Sequence, residues 1–187
     1  MQTNNHIAVF ASGTGTTLQA LIDNQQQYSY CVSLVVTNRE CQAQERAAIH
    51  RIPVLLTKDW NEIDQAMTNH QIQLIVLAGF LAIIPEWICT KWANRIINIH
   101  PSLLPRHGGK GMYGIRVQEA VLASGDALAG CTVHYVSAEV DGGRIIAQAS
   151  IDVLANDTPQ TLSQRVQEQE KQLLPRTIAE IITNQTK

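Results

Sequence analysis

Runs of lysine or arginine are missing from this 187-residue sequence, and charge of either sign is scarce. There are 14 Lys and Arg against 16 Asp and Glu, together 16% of the chain, for a net charge of −2. A surface that neutralises a nucleic-acid backbone needs clustered cations, so the composition argues against DNA or RNA as a partner. Paired cysteines are missing as well. Cys31, Cys41, Cys89 and Cys131 are widely spaced, with no Cys-x-x-Cys. That pattern argues against a structural zinc site or a disulfide framework, and for reduced thiols in a cytoplasmic protein with no bound metal. No apolar stretch reaches membrane-spanning length, the longest candidate, Leu74 to Phe80, being the size of a strand. The opening Met-Gln-Thr-Asn-Asn-His has neither a basic region nor a long apolar one, so it does not read as a signal peptide.

What is present is an ordinary globular composition, 45% hydrophobic, in a chain of one-domain size. Short β-branched runs predict strands at Ile7–Ala11, Val32–Thr37, Pro53–Leu56, Leu74–Ala78 and Ile96–Ile99. Helical patterns at Thr16–Asn24, Gln42–His50, Trp60–Asn69 and Glu86–Ala93 fall between them. Several strands are almost wholly apolar, as when helices cover both faces of a parallel sheet. The alternation predicts a single-domain, doubly wound (Rossmann-like) α/β fold with a mostly parallel sheet. A helix near Ile115–Ser124 is followed by two strands, Gly130–Val136 and Arg144–Ile151, an antiparallel C-terminal addition at the sheet edge. Asp157-Thr158-Pro159 opens a last helix to about Thr183, with Pro175 expected to kink or break it. No repeat or linker divides the chain, so residues 1–187 are read as one domain, about 1–100 carrying a phosphate site and about 101–187 the catalytic loop.

The first predicted strand ends in Ala11-Ser12-Gly13-Thr14-Gly15-Thr16-Thr17, and a helix follows at once. Glycines here expose backbone N–H groups at a helix N-terminus, and Ser12, Thr14, Thr16 and Thr17 add hydroxyls, a combination suited to a phosphate. A plain strand-to-helix turn uses the same residues, so both readings stand. A dinucleotide fingerprint does not fit, because Leu18 takes the third glycine position and Val36-Thr37-Asn38 offers no acidic residue for a ribose. No Gly-Lys-Ser/Thr follows for a Walker loop.

Further on, Asn98-Ile99-His100-Pro101-Ser102-Leu103-Leu104-Pro105 leaves a strand. Residues two apart on a strand face one side, so Asn98 and His100 share a pocket beyond the carboxyl end of the sheet. An amide there can stabilise an oxyanion, and a histidine can carry a proton. Asp141, between strand candidates in Asp141-Gly142-Gly143, can orient or charge-stabilise that histidine. None of the three is a convincing nucleophile, which suits direct attack by a substrate amine on a carbonyl. A histidine at a strand end is also a common satisfied structural residue, so the residues alone leave that alternative open.

Ser12-Gly13-x-Gly15-x-x-Leu18-Gln19-Ala20-Leu21-Ile22-Asp23, Val76-Leu77-Ala78-Gly79-Phe80, the Asn98–Pro105 segment and Asp141-Gly142-Gly143 occur in this order along essentially the whole chain. Together they resemble the folate-dependent formyltransferases, in particular the branch that formylates phosphoribosylglycinamide in purine synthesis. The resemblance implies 10-formyltetrahydrofolate as co-substrate, phosphoribosylglycinamide as acceptor, and a monomer or homodimer. It implies that Asn98 stabilises a tetrahedral oxyanion, His100 shuttles the proton, and Asp141 sets the histidine's charge. It implies a phosphate held by Gly13, Thr14, Gly15, Thr16 and Thr17, and further acceptor contacts at Gly79, Pro101 and Glu170. The reduced folate is implied to lie against Phe80, Leu81, Ala82, Ile83 and Ile84 and against Val136, Ser137, Ala138, Glu139 and Val140. By themselves residues 80–84 read as core and Glu170 as an exposed helix charge.

Gly108-Gly109-Lys110-Gly111-Met112-Tyr113-Gly114 resembles a flap in a subset of these enzymes, with Lys110 near phosphate or ribose; a glycine-rich surface loop is the alternative. Thr17 stands where many relatives have asparagine, Gln118 and Lys171 where histidine is frequent, and Ala82 where some have a basic residue. These departures bear on the acceptor, not the formyl chemistry. Formyltetrahydrofolate hydrolase shares the trio but usually carries an N-terminal regulatory domain, for which a strand beginning by residue 7 is expected to leave no room. Sugar-nucleotide and initiator-tRNA formyltransferases are longer, and a catalytically silent phosphate-binding module has no need of the trio.

Overall fold

The computed structural model describes residues 5–185. One seven-stranded sheet runs through it in the order β3-β2-β1-β4-β5-β6-β7. The strands are β1 His6–Ala11, β2 Cys31–Thr37, β3 Val54–Leu56, β4 Leu74–Leu77, β5 Ile96–His100, β6 Leu128–Tyr135 and β7 Ile145–Asp152. The helices are α1 Thr16–Asn24, α2 Gln42–Ile49, α3 Trp60–Asn69, α4 Glu86–Lys91, α5 Ile115–Ala123 and α6 Pro159–Gln185. β1 to β5 pair in parallel, whereas β6 and β7 join antiparallel, as the sequence pattern predicts.

Alternation along the strands feeds two cores. Ile7, Val9 and Ala11 of β1 with Leu74 and Val76 of β4 pack on the side of α1 and α6, with Leu18, Leu21, Leu162 and Val166. Ala8 and Phe10 with Ile75 and Leu77 pack on the other side, with Ile63, Met67 and Ile88 of α3 and α4. Both faces of the central strands are covered, which is why these strands read as unbroken apolar runs. In β2 a register shift opposite Ile7 and Ala8 lets Val32 and Val35 reach one core while Leu34 and Val36 reach the other.

Pro175 does not break α6, which continues to Gln185. Leu174, Ile178, Ile181 and Ile182 keep one buried stripe across the proline, and that packing outweighs its missing N–H. The start of α6 is capped as its sequence suggests, with Thr161 N–H donating to Thr158 Oγ1 at 3.2 Å and Thr161 Oγ1 to Asp157 Oδ1 at 3.0 Å. Among the described residues no helix is long and apolar enough to cross a membrane.

The strand order reverses direction between β1 and β4, so the connections leaving their carboxyl ends diverge and open a crevice. β5 lies beside β4, and its Asn98 and His100 leave the sheet at the edge of that crevice.

Candidate active site

One cleft of about 600 Å³ occupies this crevice. The turn after β1 lines one part, the β4–α4 connection and the 136–141 loop another, and Asn98, His100, the 109–114 segment and Glu170 the remainder. Apart from Ser12, every residue that the sequence assigns to catalysis, phosphate, acceptor or folate lines this one cavity.

The floor is the turn from β1 into α1. Gly15 is the N-cap residue at φ 71°, a left-handed conformation, and a Cβ there would meet the Ala43 backbone at 2.8 Å. No side chain caps the helix. Its positive dipole end faces the cleft without a capping side chain, with Gly13 and Thr14 exposed beside it. Ser12, offered by the sequence as a hydroxyl donor to phosphate, is buried and committed elsewhere. Its Oγ donates to Asn38 Oδ1 at 2.8 Å and accepts from Leu81 N–H at 3.0 Å, tying β1 to the loop after β4. Two cations that sequence reading missed brace the turn: Arg46 Nε donates to Thr14 O at 2.8 Å and Arg39 Nε to Ser12 O at 2.7 Å. Neither belongs to a motif; only the fold brings α2 alongside the turn.

The reactive corner has four polar side chains, not three. His100 Nε2 donates to the His107 carbonyl at 2.9 Å. A carbonyl only accepts, so this bond fixes the neutral tautomer and leaves Nδ1 with a free lone pair. That Nδ1 faces Asp141 Oδ2 at 3.5 Å. Asp141 sits at φ 56° and is held by Gly109 N–H donating to Oδ2 at 2.9 Å. A Cβ on Gly143 would run into the Tyr135 carbonyl oxygen, which explains the second glycine behind Asp141.

The fourth member is His134, buried on β6 directly opposite Asn98 in the sheet register. Its Nδ1 donates to Tyr135 O at 2.9 Å, which leaves Nε2 to receive Asn98 Nδ2–H at 3.1 Å. Asn98 is thereby held with its amide nitrogen toward the corner, and the second Nδ2 proton is left for a ligand oxygen. His134 Nε2 also lies 3.6 Å from Asp141 Oδ1.

Burial pushes the His100 imidazolium below its ordinary 6.5, against the opposing pull of the His107 carbonyl and Asp141. Burial alone would raise the Asp141 carboxyl, but its polar surroundings, the hydrogen bond from Gly109 N–H among them, outweigh burial and hold it below its ordinary value. The corner at neutral pH is thus a neutral base beside a carboxylate.

Residues 80–84 are divided between core and cleft. Phe80 packs edge-on to Phe10 and Trp60, and Ile84 is buried, whereas Leu81 and Ile83 are exposed at the cleft mouth. Glu170 is not an exposed helix charge. It is 7% exposed, and burial raises its carboxyl to about 7. Lys171 points away to Glu168, at 2.5 Å. Gln118 is buried, donating from Nε2 to the Pro101 carbonyl at 2.8 Å while its Oε1 has no partner. Ser163 and Gln167 of α6 line the cleft beside Glu170, without any signal of their own in the sequence. Among the described residues no group of three or more His, Cys, Asp or Glu side chains is arranged to hold a metal ion.

The formyl transferase family model matches residues 5–178. A phosphoribosylglycinamide formyltransferase of Arabidopsis thaliana, described as chloroplastic, is 36% identical over 97% of this chain, which spans 66% of that protein, just under two thirds. The crystal structure of phosphoribosylglycinamide formyltransferase from Anaplasma phagocytophilum superposes with a TM-score of 0.89 at 35% identity, covering 96% of this chain and 88% of that one. A formyltetrahydrofolate deformylase from Pseudomonas syringae gives a TM-score of 0.83 at 25% identity, covering 94% of this chain but 60% of that one.

Proposed function

Because the chain belongs to the formyl transferase family, we propose that it transfers the formyl group of 10-formyltetrahydrofolate to the amine of 5'-phosphoribosylglycinamide. The observation that carries this reading is the single cleft, which has an open, uncapped helix N-terminus at one part and the Asn98–His100–Asp141–His134 corner at another. A phosphate anchored on residues 13–17 presents an amine to that corner. The exposed apolar side chains of Leu81, Ile83 and Val140 give a flat heteroaromatic ring a surface to cover.

The acceptor amine attacks the formyl carbon, a C–N bond forms, and the carbonyl π pair moves onto oxygen. The free Nδ2 proton of Asn98 donates to that oxyanion. His100 Nδ1, the open position of its ring, takes the proton leaving the amine, and Asp141 stabilises the resulting imidazolium. Collapse breaks the bond to N10 of the folate, which recovers the proton from His100. The products are the formylated amine and tetrahydrofolate. We place the reaction in the cytoplasm, consistent with four free cysteines.

The test is a coupled assay of the pure protein with both substrates. Absence of transfer sinks the reading, and formate release at a similar rate without acceptor replaces it with hydrolysis. In the same assay kcat is expected to fall on the acid side through a midpoint below the usual histidine value, because protonating the His100–Asp141 pair removes the base. A profile flat from about pH 5 to about pH 8 contradicts the assigned roles.

A further inference from the structure

Residues 107 and 109 supply the two backbone groups that organise the corner: the His107 carbonyl, which sets the His100 tautomer, and the Gly109 N–H, which holds Asp141. They lie in a stretch outside regular secondary structure, with glycines at 108, 109, 111 and 114. A glycine-rich backbone has many accessible conformations, so something else must hold it.

Apolar packing is thin there. Beside the segment lies a separate cavity of about 320 Å³, lined by Leu103, Arg106, His107, Val121, Asp126 and Leu128 and sharing no lining residue with the substrate cleft. What holds the segment is a compact polar cluster. His107 Nε2 lies 2.7 Å from Asp126 Oδ2, and Arg106 meets Asp126 Oδ1 at 2.5 Å. Ser102 Oγ donates to the Arg106 carbonyl at 2.6 Å. His107 itself is at φ 53°, a conformation that a non-glycine residue keeps only when its surroundings enforce it. Asp126 is delivered by the turn after α5, where Gly125 adopts φ 68°.

We propose that Asp126 and the His107 side chain are positioning residues for the formyl-transfer centre, a clamp acting through the backbone of residues 107–109 to fix the proton position on His100 and the orientation of Asp141. The kinetic part rests on the function proposed above; the effect on the His100 ring does not. Neither Asp126 nor His107 lines the substrate cleft.

The experiment compares wild type with Asp126→Ala, Asp126→Glu and His107→Phe. It measures kcat and both KM values, Tm, and the ring-nitrogen NMR shifts of His100, assigned by difference against His100→Ala. Asp126→Ala and His107→Phe are expected to lower kcat about 10–100-fold with both KM values within about threefold, because misplacing a reacting group by up to about 1 Å costs as much as about 100-fold. The His100 signals should move from one Nε2–H tautomer to a mixture, and Asp126→Glu should restore most of the rate. A kcat within twofold of wild type, or an unmoved tautomer in both variants, overturns the clamp. Should Asp126→Ala not fold, His107→Phe, which fills the same space, decides. If wild-type protein transfers no formyl group, the function fails while the ring signals still decide the clamp.

Discussion

His100→Ala is expected to lower kcat by about 10³–10⁴-fold, and Asp141→Asn by about 10²–10³-fold, with both proteins still folded, since general acid–base catalysis contributes in this range. The two losses have different causes. Alanine removes the only ring nitrogen in the corner whose lone pair is open, because His134 uses its Nε2 to receive Asn98 and its Nδ1 to bind Tyr135. Asparagine at 141 keeps an oxygen that accepts from Gly109 N–H, so the loop stays in place, but the negative charge 3.5 Å from His100 Nδ1 is gone. The imidazolium formed during proton transfer then has no counter-charge in a buried site, where charge is costly. Stability should change far less. The alanine leaves the His107 carbonyl without its donor, at about 1–3 kcal/mol, and the asparagine gives up the stabilisation that a carboxyl held below its ordinary value contributes at neutral pH. Rates with both substrates, read beside thermal melts, separate these effects. A loss below tenfold in His100→Ala with normal melting removes His100 from the proton-transfer role.

Much of this arrangement is legible in the residues alone. The apolar runs of β1, β4 and β5 place a parallel sheet, and α1 and α3 begin and end where their patterns say. Position i, i+2 on a strand puts Asn98 and His100 on one side. His134 is not legible in that way, since a histidine inside an apolar strand has the same sequence signature whether it fills a core or serves a site. Only the pairing of Asn98 with His134 across β5 and β6 tells them apart. Ser12 fails for a related reason: a hydroxyl in a glycine turn looks available until the loop after β4 is seen to use it. Glu170 is different, because its burial was encoded. Val166, Glu170, Leu174 and Ile178 follow one another at four-residue spacing, which puts the glutamate on the inner stripe of α6.

That inner position gives Glu170 the second large expected effect. Its carboxyl is raised by burial from 4.5 to about 7, with Lys171 pulling weakly the other way. The unfolded chain gives up this proton near 4.5 and the folded protein near 7, so between those values the folded state binds more protons. Stability contributed by this group is therefore fully present below the lower value and is lost as pH rises, levelling off above the higher one. Each tenfold difference in proton affinity between the two states is worth about 1.4 kcal/mol, so the loss is about 3 kcal/mol at most. Glu170→Gln keeps the shape without the titration. It is expected to be the more stable protein at pH 8, with Tm higher by up to about 6–12 °C, and to match wild type near pH 4.5. Because Glu170 lines the cleft, the same substitution should raise KM for the acceptor about tenfold while leaving the folate KM unchanged, the loss of one charge-assisted hydrogen bond. Wild type and variant melting in parallel across this pH range would mean that Glu170 is ionised in the free protein, and that the cleft admits more water around α6 than its burial implies.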